Sequence, residues 1–489
     1  MEILVALDAG TSSVRAVAFY ANGEVIAIAS RELTVRYPRS GWVEQDPDEI
    51  THLCTAVLAE LDERLGSRAR DVVAIGLTNQ RESVVAWDRA DARVLYPLIS
   101  WQDSRGAELC ASLVDRETMI RSRTGLGINP YFSASKMAWL HTQGHLKYAR
   151  QAAVSTLDSY LLWVLSGAKP DSSFVTDVSN ASRTMLMDLD DLDFHPELLE
   201  SFAIARENLP EVVPSGGVAF AVAGGLPFAG VPIAAVLGDQ QASLLGQGCV
   251  APGDIKNTYG SGSFVLANTG TARTRPDGGV LESVAWKVAG GEATYCLEGS
   301  IFSTGTILRW LRDNLGILSD YQSIDAMASA VRSSEGVVLI PSFQGLGAPY
   351  WDPHATGSIF GISQSTRPEH LVRSAIEGIA LRTQEVIEAM EATTGERFAK
   401  LVIDGGLSRS DVMCQIQADQ LQIPVVRSVL GESTARGAAM LAGVSLGVFS
   451  SVAEIPAPHQ GEAFAPKASA QLAKGRRELW KRYLCRVLN

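Results

Sequence analysis

Short apolar runs that end in small polar residues recur along this chain. Residues 3–7 form one, and it stops at Asp8-Ala9-Gly10-Thr11-Ser12-Ser13. A second run, 14–19, leads to Asn22-Gly23, a pair that favours tight hairpins, and a third covers 25–29. Together they predict an antiparallel meander. At 47–65 the period changes: Ile50, Leu53, Val57 and Leu61 recur at helical spacing behind Asp46 and Asp48, either of which can cap a helix. Residues 72–77 return to a buried-strand pattern and deliver Thr78-Asn79-Gln80-Arg81-Glu82, and Ile99 likewise delivers Ser100-Trp101-Gln102-Asp103. Ligands sit at strand ends in α/β proteins, so both polar clusters are candidate sites. By themselves Arg81 and Glu82 also read as a surface ion pair, which contributes little.

Further on, 155–165 reads as a helix and 176–184 as a polar loop. No residue from 212 to 238 is charged, but repeated glycines with Pro214, Pro227 and Pro232 would break a membrane helix. That stretch reads as a loop and then a buried strand, 231–237. It delivers Asp239, Gln240 and Gln241, followed by a helical segment with Ala242, Leu244 and Leu245 on its buried face. Strands at 255–259 and 264–268 flank Gly260-Ser261-Gly262-Ser263. Such a turn lets backbone amides crowd together, which suits phosphate oxygens, and Asp239 is a candidate proton acceptor near it. Either feature alone reads more simply as a turn. The turn at Gly10 has the same make-up, so the chain suggests two related halves, each with a phosphate loop. The second half adds a strand and turn at 401–406 and helices from 409 and over 432–446. Residues 455–466, with Pro456, Pro458 and Pro466, read as a linker to a basic terminal helix, 468–488.

Length changes the picture next. At 489 residues the chain exceeds one ordinary core, and two domains, 1–250 and 251–489, are expected. A formal net charge of -12 argues against nucleic-acid binding but leaves a nucleotide ligand open. Six scattered cysteines without a CxxC spacing read as reduced thiols of a cytoplasmic protein. Seven histidines form no zinc-binding pair. The first residues lack a basic segment and read as a strand rather than a signal peptide, so no membrane insertion is expected.

In order, these pieces resemble the FGGY carbohydrate kinases. YFSASKMAWLHTQ at 131–143 and GSIFGISQSTRPEHLVRSAIE at 357–377 fit long signatures of that family. IGLTNQRE, TDVSNASRTML, GDQQASLLGQ, KNTYGSGSF and GLGAPYWDP fit shorter ones, and the likeness runs from the DAGTSSVR turn to the helix after GESTARGAA. The resemblance implies an α/β fold of two ribonuclease-H-like domains, the architecture of actin and the sugar kinases, with an interdomain active-site cleft. It implies transfer of phosphate from ATP, with Mg2+, to a small polyol, glycerol first.

Carried over residue by residue, Asp239 resembles the general base and, with Asp8, a carboxylate near the metal. Thr11, Ser12, Ser13 and Arg15 resemble the first phosphate loop, with Arg15 also steadying the transferred phosphoryl group. Ser261, Gly305, Arg309, Gly406 and Ser410 match the nucleotide side. Arg81, Glu82, Trp101, Tyr131, Asp239, Gln240 and Phe264 match the polyol-contacting set. Four positions depart from the common pattern: Ala9 where Gln is usual, Val14 where Ser is frequent, Arg309 for Gln and Ser410 for Asn. The loop 224–230 also lacks the arginine with which some members bind fructose 1,6-bisphosphate. Two rival readings are a kinase for erythritol or threitol and a non-catalytic, actin-like nucleotide sensor. Retention of Asp8 and Asp239 argues against the second. A homodimer and a homotetramer both stay open.

Overall fold

The computed structural model describes residues 2–429 and 431–488. Each half of the chain builds one large mixed sheet. In the N-terminal half β1 (Ile3–Ala9), β2 (Ser13–Tyr20) and β3 (Val25–Glu32) form the expected meander. β4 (Val72–Asn79) runs parallel to β1, β5 (Gly216–Ala221) lies antiparallel on the edge, and β6 (Pro232–Gly238) runs parallel to β4, giving the order β5-β6-β4-β1-β2-β3. The C-terminal half contributes β7 (Ile255–Tyr259), β8 (Ser263–Gly270), β9 (Leu281–Lys287), β10 (Ala293–Ile301), β11 (Leu401–Gly405), β12 (Val425–Ser428) and β13 (Gln460–Phe464). Their order is β9-β10-β8-β7-β11-β12-β13. β7 has its hairpin partner β8 on one side and the parallel β11 on the other, just as β1 lies between β2 and β4.

Register brings the site together. Asp8 stands opposite Thr78 on β4 and Arg15 on β2, and Gly238 stands opposite Asn79. The ends of β1, β4 and β6 therefore finish side by side, and Asp8, Arg81, Glu82 and Asp239 emerge at one edge. A smaller four-stranded sheet (Glu44–Gln45, Val84–Asp88, Arg93–Ile99, Ala152–Thr156) leads into the turn that bears Trp101.

The helices follow from local chemistry. α1 (Pro47–Leu65) is capped by Asp46, which accepts from the Asp48 amide at 3.0 Å; it buries Ile50, Val57, Leu58 and Leu61 and stops at Gly66. α2 (Asp239–Gly246), α3 (Gly305–Asp313), α4 (Pro368–Thr394), α5 (Asp411–Leu421), α6 (Ser433–Ser445) and α7 (Ala470–Leu484) complete the set used below. Packing puts α2 and α6 together in the centre of the molecule. Leu4, Ala6, Val17 and Phe19 of the N-terminal sheet and Leu266 and Cys296 of the C-terminal sheet share one buried cluster with Leu244 and Leu245 of α2 and Ala438, Ala439 and Leu441 of α6. The two helices touch backbone to backbone: a Cβ on Gly246 would lie 1.8 Å from the Ser433 carbonyl, and one on Gly437 would lie 1.8 Å from that of Ala242.

Four sequence expectations are corrected. The charge-free stretch before β6 is not all loop, since it takes in the end of the strand Glu211–Val213 and all of β5; along β5 exposed and more buried positions alternate, but glycine and alanine make the alternation faint. The proline-flanked linker holds β13, which pairs with β12. The helix expected from 155 begins at Leu157, because 152–156 pair as a strand with Val84–Asp88. The polar loop 176–184 is a buried strand and helical turn, made affordable by its own hydrogen bonds: Asp177 accepts from the Ser179 and Asn180 amides at 2.8 and 3.0 Å and from Ser215 Oγ at 2.7 Å. Among the described residues no helix is long and apolar enough to cross a membrane.

Candidate active site

Asp239 is the first residue of α2, a position that favours negative charge. Its Oδ1 accepts from the Gln240 amide at 2.7 Å and pairs with Arg81 Nε at 3.2 Å, while its side chain stays 27% exposed. Burial raises its carboxyl to about 6, with Arg81 opposing the shift and Glu82 adding to it. Asp8 is raised to about 7, first by burial and then by the charge of Asp239, with Arg15 pulling the other way. Two carboxyls close enough to perturb one another suit a divalent cation, which relieves their repulsion.

The first loop is tied to its surroundings through Thr11. Its carbonyl accepts from Gln45 Nε2 at 2.7 Å, and its hydroxyl accepts from Trp101 Nε1 at 2.9 Å. Trp101 thus ties the first loop to the residues expected to contact a polyol. Ser12 and Ser13 lie in the same turn, closed by the Gly10 amide donating to the Ser13 carbonyl at 3.0 Å. Arg15 faces a partner the sequence reading missed: Nη1 lies 3.2 Å from each carboxylate oxygen of Glu432, just before α6. At 39% and 18% exposure this ion pair contributes at most about 1 kcal/mol, so a phosphate can displace the carboxylate at small cost.

The seven residues expected to contact a polyol form two connected groups. Arg81 joins Asp239, and Gln240 follows Asp239 on α2. Trp101 packs edge-on against Tyr131 at 5.7 Å and Phe264 at 6.4 Å between ring centres, giving an aromatic wall from both halves of the chain. Arg81 and Glu82 are not a surface pair, for each is 2% exposed. Arg81 donates from Nη1 and Nη2 to Glu298 at 2.6 and 3.0 Å, and Glu82 accepts from Arg183 Nε at 2.6 Å. Gln240 Oε1 accepts from Lys256 Nζ at 2.6 Å, which leaves its amide NH2 to donate. Sequence reasoning missed Arg183, Lys256 and Glu298. One signal was present: a lone carboxylate within the apolar run of β10 has to find a buried cation.

On the other side, Ser261, Gly305, Arg309, Gly406 and Ser410 all line one cavity of about 530 Å3, with Tyr321 and Asp325. None of the first-loop residues lines it. Gly305 permits close backbone approach, since a Cβ there would sit 2.6 Å from the Gly260 carbonyl, whereas one on Gly406 would meet nothing within 4 Å. Ser410 is held by the protein: its hydroxyl spends its one proton on Asp325 and accepts from the Met413 amide at 3.0 Å, capping α5. Arg309 is exposed on α3, and its charge acts on the Asp313 carboxylate four residues on.

The structure thus offers a cavity of about 530 Å3 beside the Gly260 turn, two mutually perturbing carboxyls, and a group of buried polar residues next to an aromatic wall. Family models for the N-terminal and C-terminal domains of the FGGY family of carbohydrate kinases match residues 3–246 and 255–446. The chain belongs to that family. It is 42% identical to a glycerol kinase of Azotobacter vinelandii over 492 aligned residues, 99% of this chain and 97% of that one. The crystal structure of Plasmodium falciparum glycerol kinase with ADP superposes with a TM-score of 0.92 at 28% identity, covering 100% of this chain and 99% of that one. A xylulose kinase from Rhodospirillum rubrum superposes nearly as well, with a TM-score of 0.86 at 27% identity over 99% and 98%. The FGGY fold accommodates both acceptors, so choice among them rests with the side chains of the pocket.

Proposed function

We propose that this FGGY chain transfers the γ-phosphoryl group of ATP to a terminal hydroxyl of glycerol, giving sn-glycerol 3-phosphate and ADP in the cytoplasm. The observation that carries the reading is Asp239, held by Arg81 at the edge where the polyol set, Asp8 and the first loop converge. Asp239 accepts the hydroxyl proton as the new O–P bond forms. Arg15, exchanging Glu432 for phosphate, stabilises charge on the transferred group together with the loop amides. Arg81 and Glu82 hydrogen-bond two hydroxyls, Gln240 donates to an oxygen, and Trp101 and Phe264 cover the carbon edge. The paired carboxyls fit Mg2+; Asp8 and Asp239 would hold it, and when bound it neutralises phosphate charge.

Initial rates of ADP release with glycerol, erythritol, D-threitol, D-xylulose and D-ribulose test the substrate. Glycerol is expected to exceed the two pentuloses by at least about a hundredfold in kcat/KM, because extra hydroxyls beside Phe264 clash or stay unpaired. A four-carbon polyol ahead of glycerol overturns the assignment. No polyol-dependent turnover at all favours the sensor reading instead.

The nucleotide side gives a second expectation. Ser410 is occupied by Asp325 and Met413, and Arg309 presents a cation where the family usually has an amide. Fewer neutral donors and acceptors remain for reading a base edge, so discrimination of ATP from GTP and CTP should be weaker than is usual in the family. The kcat/KM values for the three triphosphates check this. A strong ATP preference that survives both Arg309→Gln and Ser410→Asn unchanged contradicts it.

A further inference from the structure

Arg81 and Glu82 belong to a closed ring of four buried charges. Arg81 makes a two-pronged pair with Glu298; Glu298 Oε1 also accepts from Arg183 Nη2 at 3.1 Å; Arg183 Nε donates to Glu82 at 2.6 Å; and Glu82 returns to Arg81 Nε at 3.9 Å. All four side chains are at most 2% exposed. The signs alternate and cancel. Burial works against the charge of Glu298, yet Arg183 and Arg81 hold its carboxyl down at about 2, so it stays ionised. Stability is a poor reason for such a ring, because well-packed apolar side chains of equal volume commonly stabilise a core as well or better.

Orientation is a better reason. Arg81 and Glu82 follow β4 of the N-terminal sheet, whereas Glu298 lies on β10 of the C-terminal sheet, opposite Leu266 and Leu281. Glu82 has φ of 59°, a left-handed backbone that a non-glycine residue keeps only when its surroundings hold it. Arg183 lies with its guanidinium carbon 5.7 Å from the Tyr131 ring centre, and its Nη1 is buried without a hydrogen-bond partner. That leftover donor sits beside the polyol set, where a substrate oxygen can satisfy it.

We propose that Glu298 and Arg183 are positioning residues for the polyol, locking Arg81 and Glu82 into the geometry that presents the acceptor hydroxyl to Asp239. This rests on the reading of Arg81 and Glu82 as polyol contacts. Because the ring spans both halves, the polyol site is complete only where the two sheets meet.

The test is Glu298→Gln in the full-length protein, with Glu298→Asp as the conservative variant. Glu298→Gln is expected to raise the KM for glycerol by about tenfold to a hundredfold, as loss of a charge-assisted contact at the site implies. The KM for ATP should stay within about twofold, a difference too small to count as a lost interaction. The wild type should reject propane-1,2-diol, which lacks one hydroxyl, by at least about a hundredfold, and the variant should lose most of that rejection. Glu298→Asp should recover part of it. A purely structural role would lower the unfolding midpoint and weaken both substrates alike, and that outcome, or a folded Glu298→Gln with unchanged glycerol KM and rejection, overturns the proposal. If Glu298→Gln does not fold, Arg183→Lys reads the same discrimination through Glu82; if neither folds, the ring serves the fold and the proposal fails. Wild-type rates separate this from the assigned function: if erythritol or threitol is preferred, glycerol falls as substrate, while the same comparison on that polyol against its deoxy analogue still tests Glu298.

Discussion

Asp239→Asn is expected to lower turnover by about 10²–10⁴-fold, the usual contribution of a positioned general base. The substitution keeps shape. An asparagine oxygen can still accept from the Gln240 amide, now at 2.7 Å from Oδ1, so the start of α2 is preserved. What disappears is the proton acceptor, together with the charge beside Arg81 Nε. Arg81 keeps its pair with Glu298, so the polyol site should remain assembled. The nucleotide cavity does not include Asp239, and ATP affinity should be unchanged. Steady-state ADP release with direct measurement of ATP binding checks both halves of this expectation. A folded variant that turns over at close to the wild-type rate removes Asp239 from the role of base.

Gly437→Ala should destabilise the protein by at least about 2–3 kcal/mol, the upper range for overpacking a core. Alanine in a helix is ordinarily better than glycine by about 1 kcal/mol, so propensity predicts the opposite sign. Contact decides. The added Cβ would lie 1.8 Å from the Ala242 carbonyl and 3.0 Å from the Gly246 amide, both backbone atoms of α2 that cannot rotate away. Relief requires α6 and α2 to separate, and α2 carries Asp239 at its first residue, so kcat/KM should fall as well. Gly475→Ala is the matched control. It lies in α7 with nothing within 4 Å of its Cβ position, and stabilisation of about 0.4–1 kcal/mol is expected. Thermal unfolding of both variants tests the pair, and a Gly437→Ala protein as stable as the wild type refutes the central backbone contact.

Much of this molecule was legible in its order of residues. Strands end where apolar runs meet small polar residues, helices start at caps such as Asp46, and tight turns need residues such as Asn22-Gly23. These are local rules, satisfied within a few residues of each position, so β1 to β4, α1 and the β7–β8 hairpin could be placed without a partner in space. Ordered motifs then pointed to Asp8, Arg81, Glu82 and Asp239, and register brings them to one edge. The tertiary structure alone decided who answers their charges. Arg81 finds Glu298 217 residues away, Arg15 finds Glu432 417 residues away, and Ser410 turns to Asp325 rather than outward. Only the packed structure reveals that Gly246 and Gly437 let two helices meet, or that β13 completes a sheet from within a proline-flanked stretch. The reason is range: hydrophobic period and capping act over one or two turns of chain, whereas a buried charge is neutralised by whichever residue the sheets bring beside it.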